Sequence, residues 1–378
     1  MKRILINASN LHVGGSVQVA TSFIMELSGV IESFPDFNFI VYASTEVDAN
    51  LASSGFDRKS VGRYAVLDVY GIKTLKPGTA KRFEGFDLVF TIFGPLYRLF
   101  KLPNHVVGFA QPWIIYPENE ISRSLSLSNR FRSKLKFWLQ WAFFRREARL
   151  VVELGHVKSR LVELKRFPAD RISVVSNCVS AVYFDQSRWA PLHGLDEVDD
   201  GIVRLGFVSR DYPHKNINVL LEIAKVLKRI SSLNYRFYVT LTDAEWQARS
   251  DEFRATIVNL GPISVAQCPT FYSAVDAVVF PSLLECFSAT PLEAMAMERP
   301  LFASDRGFVR DCCGEHATYF DPLNAEEAAE KINDWFCRMQ DKERRLRVEA
   351  ARKHVLSLPS SKKRAESYLQ IVSEMLKE

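Results

Sequence analysis

The sequence predicts an α/β protein made of two doubly wound units with parallel sheets. Three observations carry this. Short, continuous apolar runs recur through both halves, among them Arg3–Ala8 (RILINA), Phe37–Ala43 (FNFIVYA), Val203–Val208 (VRLGFV) and Asp276–Ser282 (DAVVFPS). Such runs mark strands buried on both faces, which parallel sheets require. Helix-period segments separate them, the pattern of βαβ units. At 378 residues the chain exceeds one core of ~150 residues, so two domains are expected.

The first unit opens with the strand Arg3–Ala8, a loop Leu11–Ser16 (LHVGGS), and a helix in which Ala20, Phe23, Ile24, Leu27 and Ile31 fall on one face. Strand, glycine loop and helix begin a nucleotide-binding α/β unit. Gly14 and Gly15 do not form G-x-G-x-x-G, which argues against a dinucleotide dehydrogenase. Further strands are expected at Phe37–Ala43, Asp87–Ile92 and Val106–Ala110, the last leading into Gln111, Pro112 and Trp113. His105 falls before that strand, and His12 in the first loop reads either as a ligand-facing group or as a solvated side chain.

Composition bounds the function. The chain is 47% hydrophobic and 25% charged, which is ordinary for a globular protein and excludes a disordered or fibrous one. The net charge of +5 is concentrated: Ile121–Arg149 carries eight Lys or Arg against Glu147 alone. Within it, Ser128–Arg149 places Phe131, Leu135, Trp138 and Ala142 at helical spacing, with Phe137, Trp141 and Phe144 widening the apolar face. A basic, aromatic-rich amphipathic helix at 128–149 suits an anionic membrane surface, or equally an ordinary helix burying its aromatics with its cations in water. Nucleic acid is not expected as a partner, because the rest of the chain is not basic. The six cysteines form no C-x-x-C pair, which disfavours zinc and thioredoxin-type chemistry and fits reduced thiols in a cytosol. The start MKRILINASN has no long apolar signal core and no apolar run reaches 18 residues, so a cytoplasmic protein is expected, with peripheral attachment to the inner membrane face through 128–149.

Phe184–Asp200 is polar, acidic and broken by Pro and Gly, which reads as an interdomain linker. The expected division is therefore 1–183, a linker at 184–201, a second domain at 202–350, and a C-terminal helix at 351–378 returning to the first domain. In the second domain the strand Val203–Val208 runs into Ser209–Asn216 and then a helix. Arg210 and Lys215, five apart in that loop, can face one diphosphate or remain solvated. Strands follow at Tyr235–Leu241 and Leu301–Ser304, and helices at Ala325–Arg338 and Lys342–Lys377.

The most informative stretch is Pro281–Pro300, PSLLECFSATPLEAMAMERP. A strand ends at Pro281-Ser282, and Leu292–Met297 is dense in helix formers. Thr290 as N-cap, Pro291 at the first helical position and Glu293 at the third form a helix-start signature. Backbone N–H groups at such an N-terminus favour an anion. Glu285 and Glu293 flank it, seven residues lying between them. Glu293 reads either as half of a capping box or as a ligand-binding carboxylate.

This stretch resembles the E-G-F-G-x-x-x-x-E-A-M-A-x-G-x-P signature of retaining GT-B glycosyltransferases of family 4, the glycosyl transferases group 1. Cys286, Ser288 and Glu298 stand where glycines are frequent. Leu11–Ser16 is similar to the family's G-G-[GSA] loop, Arg171–Val179 to its V-x-x-N-G-V segment with Cys178 at the glycine, and Val258–Ile263 to its V-x-F-L-G segment. The resemblance covers the second half well and the first half loosely. It implies a GT-B fold, two Rossmann-like domains whose parallel sheets face an interdomain cleft. It further implies that Glu285 orients the transferring sugar, that Glu293 holds the donor ribose, and that Arg210 and Lys215 neutralise the diphosphate. Ser288, Ala289, Thr290, Gly261, Pro262, Gly14, Gly15 and Ser16 would line the donor. No metal or cofactor is implied; the donor would be a UDP- or GDP-linked sugar, the acceptor a lipid-linked oligosaccharide of surface polysaccharide such as O-antigen. The sugar-contacting His that many relatives place just after the strand equivalent to Val106–Ala110 has no match, which leaves His12, Gln111 and Trp113 as candidates for the acceptor side. Two other readings stay open: a GT-B nucleotide-sugar epimerase, and a non-catalytic sugar-nucleotide-binding module.

Overall fold

The computed structural model describes residues 1–99, 102, 104–195 and 201–377. The chain divides into two compact units. Unit 1 comprises Met1–Glu118, Ser122–Asn177 and Pro359–Glu378; unit 2 comprises Asn119–Ile121 and Cys178–Leu358.

Unit 1 is built on seven parallel strands: β1 (Lys2–Ala8), β2 (Phe37–Ala43), β3 (Arg63–Val66), β4 (Leu88–Thr91), β5 (His105–Gly108), β6 (Arg149–Val152) and β7 (Ile172–Val174). Their order is β3-β2-β1-β4-β5-β6-β7. β1 is an interior strand, with Ile4 opposite both Phe39 and Leu88. Ile4 and Ile6 pack under the helix Gly15–Val30, while Leu5 enters a second cluster with Phe83 and Val89. Both faces are thus covered, which is why the strands read as unbroken apolar runs. Gly108 permits close strand approach: a Cβ there would lie 1.7 Å from the Ile92 carbonyl oxygen.

Unit 2 repeats the design with β8 (Ile202–Phe207), β9 (Asn234–Val239), β10 (Ile257–Asn259), β11 (Ala277–Phe280), β12 (Leu301–Ser304) and β13 (Thr318–Phe320). All are parallel, in the order β10-β9-β8-β11-β12-β13. In each unit the strand order reverses beside the first strand, between β1 and β4 and between β8 and β11. Ligands of open α/β sheets bind at the carboxyl ends of strands flanking such a reversal.

Several sequence expectations are corrected. His105 lies inside β5, fully buried, where it contacts Glu147 Oε2 at 2.7 Å and Thr91 Oγ1 at 2.9 Å; Arg98 completes that buried pair at 2.6 Å. β3 escaped the sequence reading because an edge strand of four largely exposed residues needs no apolar run. The Lys342–Lys377 segment is two helices, Asp341–Ser357 and Ser361–Met375. Pro359 forces the preceding Leu358 into extended backbone (φ −72°, ψ 157°) and ends the first of them. Residues 184–195 of the expected linker fold onto unit 2: Ala190 donates to the Ala266 carbonyl at 2.9 Å, and Leu192 and Leu195 are buried. Residues 196–200 of that linker lie outside the described residues. The single apolar face expected at 128–149 is instead two faces on the helix Leu127–Phe144, followed directly by β6. Among the described residues no helix is long and apolar enough to cross a membrane.

The helix Ser361–Met375 is part of unit 1's core. Tyr368 packs edge-on against Phe23 (5.1 Å between ring centres), and Leu369 and Val372 are fully buried. Arg364, only 2% exposed, donates to Asn177 Oδ1 and to Ser22 Oγ (2.9 Å). Glu153, after β6, is buried in the same region. Burial pushes its carboxyl up to about 7, against the opposing pull of the Arg364 guanidinium and the Asn177 amide. A raised folded-state pKa stabilises below the unfolded value of 4.5 and is lost as pH rises through the folded one. Between pH 4.5 and 8 the native chain should therefore lose about 3 kcal/mol relative to a Glu153→Gln variant. Urea denaturation of both proteins across that range measures the difference; parallel stability profiles would refute it.

Candidate functional site

The carboxyl ends of β8 and β11 converge at the strand reversal of unit 2. The chain leaving β8 passes Arg210 and forms a tight turn at Pro213–Lys215, after which Asn216 takes left-handed backbone (φ 53°) and donates its side-chain N–H to the Pro322 carbonyl at 2.8 Å. The chain leaving β11 forms the loop 281–289. The two loops are stitched together by Leu283 N–H donating to the His214 carbonyl at 2.7 Å. The turn aims Lys215 at the second loop, where its Nζ lies 2.8 Å from Glu285 Oε1. This pair is mostly buried, with side chains 14% and 11% exposed. Lys215 Nζ also sits 5.6 Å from the centre of the Phe280 ring.

Glu293 lies one turn into the next helix, and its surroundings rule out the capping-box reading. The helix runs Thr290–Ala296 with helical Ala289 (φ −75°, ψ −29°) as its cap and no side-chain capping bond. The expected cap at Thr290 and the capping box are therefore corrected: the helix starts one residue early, Pro291 is second and Glu293 fourth. Its carboxylate turns instead to Tyr272, whose hydroxyl donates to Oε2 at 2.9 Å, and to the Tyr183 hydroxyl. Burial raises the Glu293 pKa, opposed by those two hydroxyls and by the charge of Lys215. The same burial and the facing carboxylate push both tyrosine hydroxyls well above their ordinary range and the Cys268 thiol up to about 12. The two phenols and the thiol thus stay protonated beside the Glu293 carboxyl. Ser288 is buried, Ala289 and Thr290 partly so.

Arg210 does not join Lys215. Its Nε donates to both Glu245 oxygens, at 2.9 and 3.0 Å, and its side chain is 55% exposed. Glu245 simultaneously closes a capping box with Thr242. The five-residue spacing placed two cations in one loop, but the intervening turn points them at different partners. Gly261, beyond β10, has left-handed backbone (φ 76°) with open space where a Cβ would stand, and Pro262 is exposed. Sequence reading did not single out Tyr183, Tyr272, His214 or Glu245. The two tyrosines look like core aromatics, and only their buried hydroxyls, which need acceptors, betray another role. His214 stacks on Tyr212 with 5.5 Å between ring centres, and burial lowers its pKa.

The remaining candidates lie in unit 1. Gly14 caps the helix Gly15–Val30 with φ 69°, and Ser16 Oγ donates to the Val13 carbonyl at 3.0 Å. His12 stacks on Tyr70 (3.8 Å between ring centres) and its Nδ1 lies 2.8 Å from Glu46 Oε2 and 3.7 Å from Asp68. Among the described residues His12, Glu46 and Asp68 form the group with the ligand spacing for a metal ion. Both carboxylates are already engaged: Asp68 accepts twice from Thr45, and His12 bonds Glu46. Those bonds lower both carboxyl pKa values. Gln111 precedes the short helix Pro112–Ile115, and Trp113 stacks on Phe137 at 5.4 Å.

The chain is similar to known proteins in sequence and in fold. Residues 198–354 match the family model described as glycosyl transferases group 1. The O-antigen chain mannosyltransferase RfbU of Salmonella typhimurium is 26% identical over 44% of this chain and 44% of its own length. The lipopolysaccharide 1,2-N-acetylglucosaminetransferase of the same organism is 26% identical over 56% of this chain and 58% of its own. The chain thus spans about half the length of the curated relatives it matches. Among solved structures, a glycosyltransferase from Rickettsia africae superposes with a TM-score of 0.70 at 18% identity, over 100% of this chain and 99% of that one. Anabaena HepE in complex with UDP and glucose does so with 0.66 at 13%, over 99% and 100%.

The chain has the GT-B fold. Its departures from the glycines of the signature that Pro281–Pro300 resembles acquire a structural meaning. Glu298, where a glycine is frequent, adopts left-handed backbone (φ 55°), the conformation glycine supplies without strain. Its carboxylate meets Arg352 at 2.6 Å, a partner glycine could not have. Cys286 is buried beside Glu285, so its side chain fills space in the loop that a glycine would leave open.

The Lys215–Glu285 contact is testable without any ligand. A double-mutant cycle with Lys215→Met and Glu285→Gln, read by urea denaturation, should give a coupling of about 1 kcal/mol, above that of most exposed pairs. Coupling indistinguishable from zero would show that the two side chains do not pair.

Proposed function

We propose that this chain is a retaining glycosyltransferase of family 4 that moves a sugar from a UDP- or GDP-linked donor to a lipid-linked glycan in lipopolysaccharide or O-antigen assembly. The observation that carries the reading is the Lys215–Glu285–Glu293 constellation at the carboxyl ends of β8 and β11. It lies within the segment matching glycosyl transferases group 1. The names of the two Salmonella relatives and the UDP and glucose of HepE support the acceptor and donor classes.

Breaking a nucleotide-diphospho-sugar bond places negative charge on the departing diphosphate. Lys215 is the mostly buried cation available to offset it, where low dielectric strengthens the effect. Arg210 adds to it when its guanidinium leaves Glu245. The first-turn N–H groups around Ser288, Ala289 and Thr290 lack intrahelical acceptors and complete the diphosphate site. Glu285, released from Lys215 by the entering diphosphate, orients the sugar. Glu293, aligned by Tyr272 and Tyr183, accepts from the ribose hydroxyls, and Gly261 and Pro262 border the base. In unit 1, the reading assigns the donor-side loop to Gly14, Gly15 and Ser16, and the acceptor side to His12, Gln111 and Trp113. The reading assigns charge neutralisation to side chains and backbone and calls for no metal or cofactor. Reaction would take place in the cytoplasm, at the inner membrane face where lipid-linked glycans are built.

The substituted positions Cys286 and Ser288 keep one alternative, a module that binds sugar nucleotides without turnover. A panel of UDP-, GDP- and ADP-sugars with lipid-linked acceptors separates the two. Transfer with retained anomeric configuration is expected from a UDP- or GDP-sugar. Glu285→Gln should lower turnover about 100-fold, the scale of removing one preorganised electrostatic contact. Glu293→Gln should chiefly weaken donor binding, about tenfold, the scale of a hydrogen bond to a charged group. Tight nucleotide binding without transfer from any donor would favour the module, and an unimpaired Glu285→Gln enzyme would sink the assignment of the site.

A further inference from the structure

The helix Leu127–Phe144 has an inward side that the fold accounts for and an outward side that it does not. Inward, Phe144 is fully buried against Phe109, Phe137 stacks on Trp113, and Trp141 meets Phe167 edge-on at 5.9 Å. Outward, Leu127, Phe131, Leu135 and Trp138 follow one another at spacings of four, four and three residues, which places them in one stripe along the helix. They are 86%, 70%, 46% and 64% exposed, and Leu139, 46% exposed, borders the stripe. Scattered exposed apolar residues are normal on a protein surface, but a contiguous row along one helix marks an interaction surface.

Charge identifies what covers it. The helix carries Arg130, Arg132, Lys134 and Lys136 and no carboxylate. Among the described residues Arg132, Lys134 and Lys136 are exposed and have no carboxylate partner. A second copy of this chain docking through the same stripe would bring two such cation rows together, since a two-fold interface pairs each patch with itself. An anionic lipid surface meets both requirements: acyl chains for the stripe and headgroup phosphates for the flanking cations.

We infer that the outward stripe Leu127–Leu139 inserts into an anionic bilayer, the helix lying in the membrane plane. Its 18 residues span about 27 Å, and Phe131 and Trp138 would reach the boundary between headgroups and acyl chains. The inward aromatics keep unit 1 attached to the helix while the outward ones hold lipid. The inference names the surface on which the proposed transfer would occur and rests on that reading for its purpose only, because insertion requires neither donor nor acceptor.

The test uses the full chain without sugars. Co-sedimentation is measured with phosphatidylcholine vesicles and with the same vesicles containing about 30% phosphatidylglycerol. Binding is expected to the anionic vesicles alone and to weaken as salt rises. Phe131→Ser with Trp138→Ser should reduce it at least tenfold, and each of Lys134→Gln and Lys136→Gln about fivefold. These side chains are exposed, so melting temperatures should match the parent's and exclude misfolding as the cause. Equal pelleting with neutral and anionic vesicles, or unchanged binding by the Phe131/Trp138 variant, would overturn the inference. So would a concentration-dependent dimer that the same variant dissolves, which would assign the stripe to a second copy. Transfer to a water-soluble acceptor is measured for both proteins: equal rates separate this result from the chemistry, and absence of transfer by the parent would count against the transfer reading and leave the vesicle result standing.

Discussion

The contact on which the site in unit 2 depends is the ion pair between Lys215 and Glu285, 2.8 Å apart and mostly out of solvent. Neither charge could stay where it is without the other, because an unpaired, largely buried charge is costly. The pair exists because β8 and β11 are hydrogen-bonded neighbours in the sheet although 69 residues separate Phe207 from Ala277. Parallel pairing delivers both carboxyl ends to the same edge, and the reversal of strand order there sends the following helices to opposite faces, leaving space between the loops. The Leu283–His214 backbone bond then fixes the spacing of those loops. Charge pair, loop geometry and sheet topology are therefore one arrangement described at three scales.

Much of this was legible in the sequence, and the parts that were not share a cause. Strands buried on both faces advertise themselves as apolar runs, so β2 and β12 were read to the residue, whereas β3, an exposed edge of four residues, carries no such signal. The Glu285 and Glu293 spacing marked a site, but spacing alone could not choose between a capping box and a ligand carboxylate. The capping box is ruled out by a one-residue shift in helix start, set by backbone geometry at Ala289. Tyr183 and Tyr272, which align Glu293, lie 110 and 21 residues away from it in sequence and leave no local mark. Arg210 shows the converse: a motif can name two residues correctly as loop cations and still not know that Glu245, committed to its own helix cap, holds one of them.

The two units spend their buried charges differently. Unit 2 holds Lys215 and Glu285 in the loops that follow β8 and β11, and Glu293 in the helix after them. Unit 1 places Glu147 with Arg98 and His105, and Arg364 with Asn177, inside the fold. Arg364 comes from the last helix of the chain, and its two terminal nitrogens donate to groups of the first and middle thirds, Ser22 and Asn177. A buried guanidinium tolerates few alternative registers, because any shift would strand its N–H groups. It therefore specifies where the C-terminal helix sits more sharply than Leu369 and Val372, which could repack with modest loss.

The helix Leu127–Phe144 makes the same point about specification from the apolar side. A helix hydrophobic nearly all round is ordinarily one buried all round. Here the cations contradict that: a helix with Arg130, Arg132, Lys134 and Lys136 interleaved among its aromatics cannot be enclosed without desolvating them. The chain resolves the conflict by turning Phe137, Trp141 and Phe144 inward and leaving Phe131, Leu135 and Trp138 outside among the cations. Folding alone gives no reason to retain those outer side chains, since polar residues at 131, 135 and 138 would leave every inward contact intact. The inferred bilayer contact would supply that reason: an environment that is apolar and negatively charged at once, and water is neither.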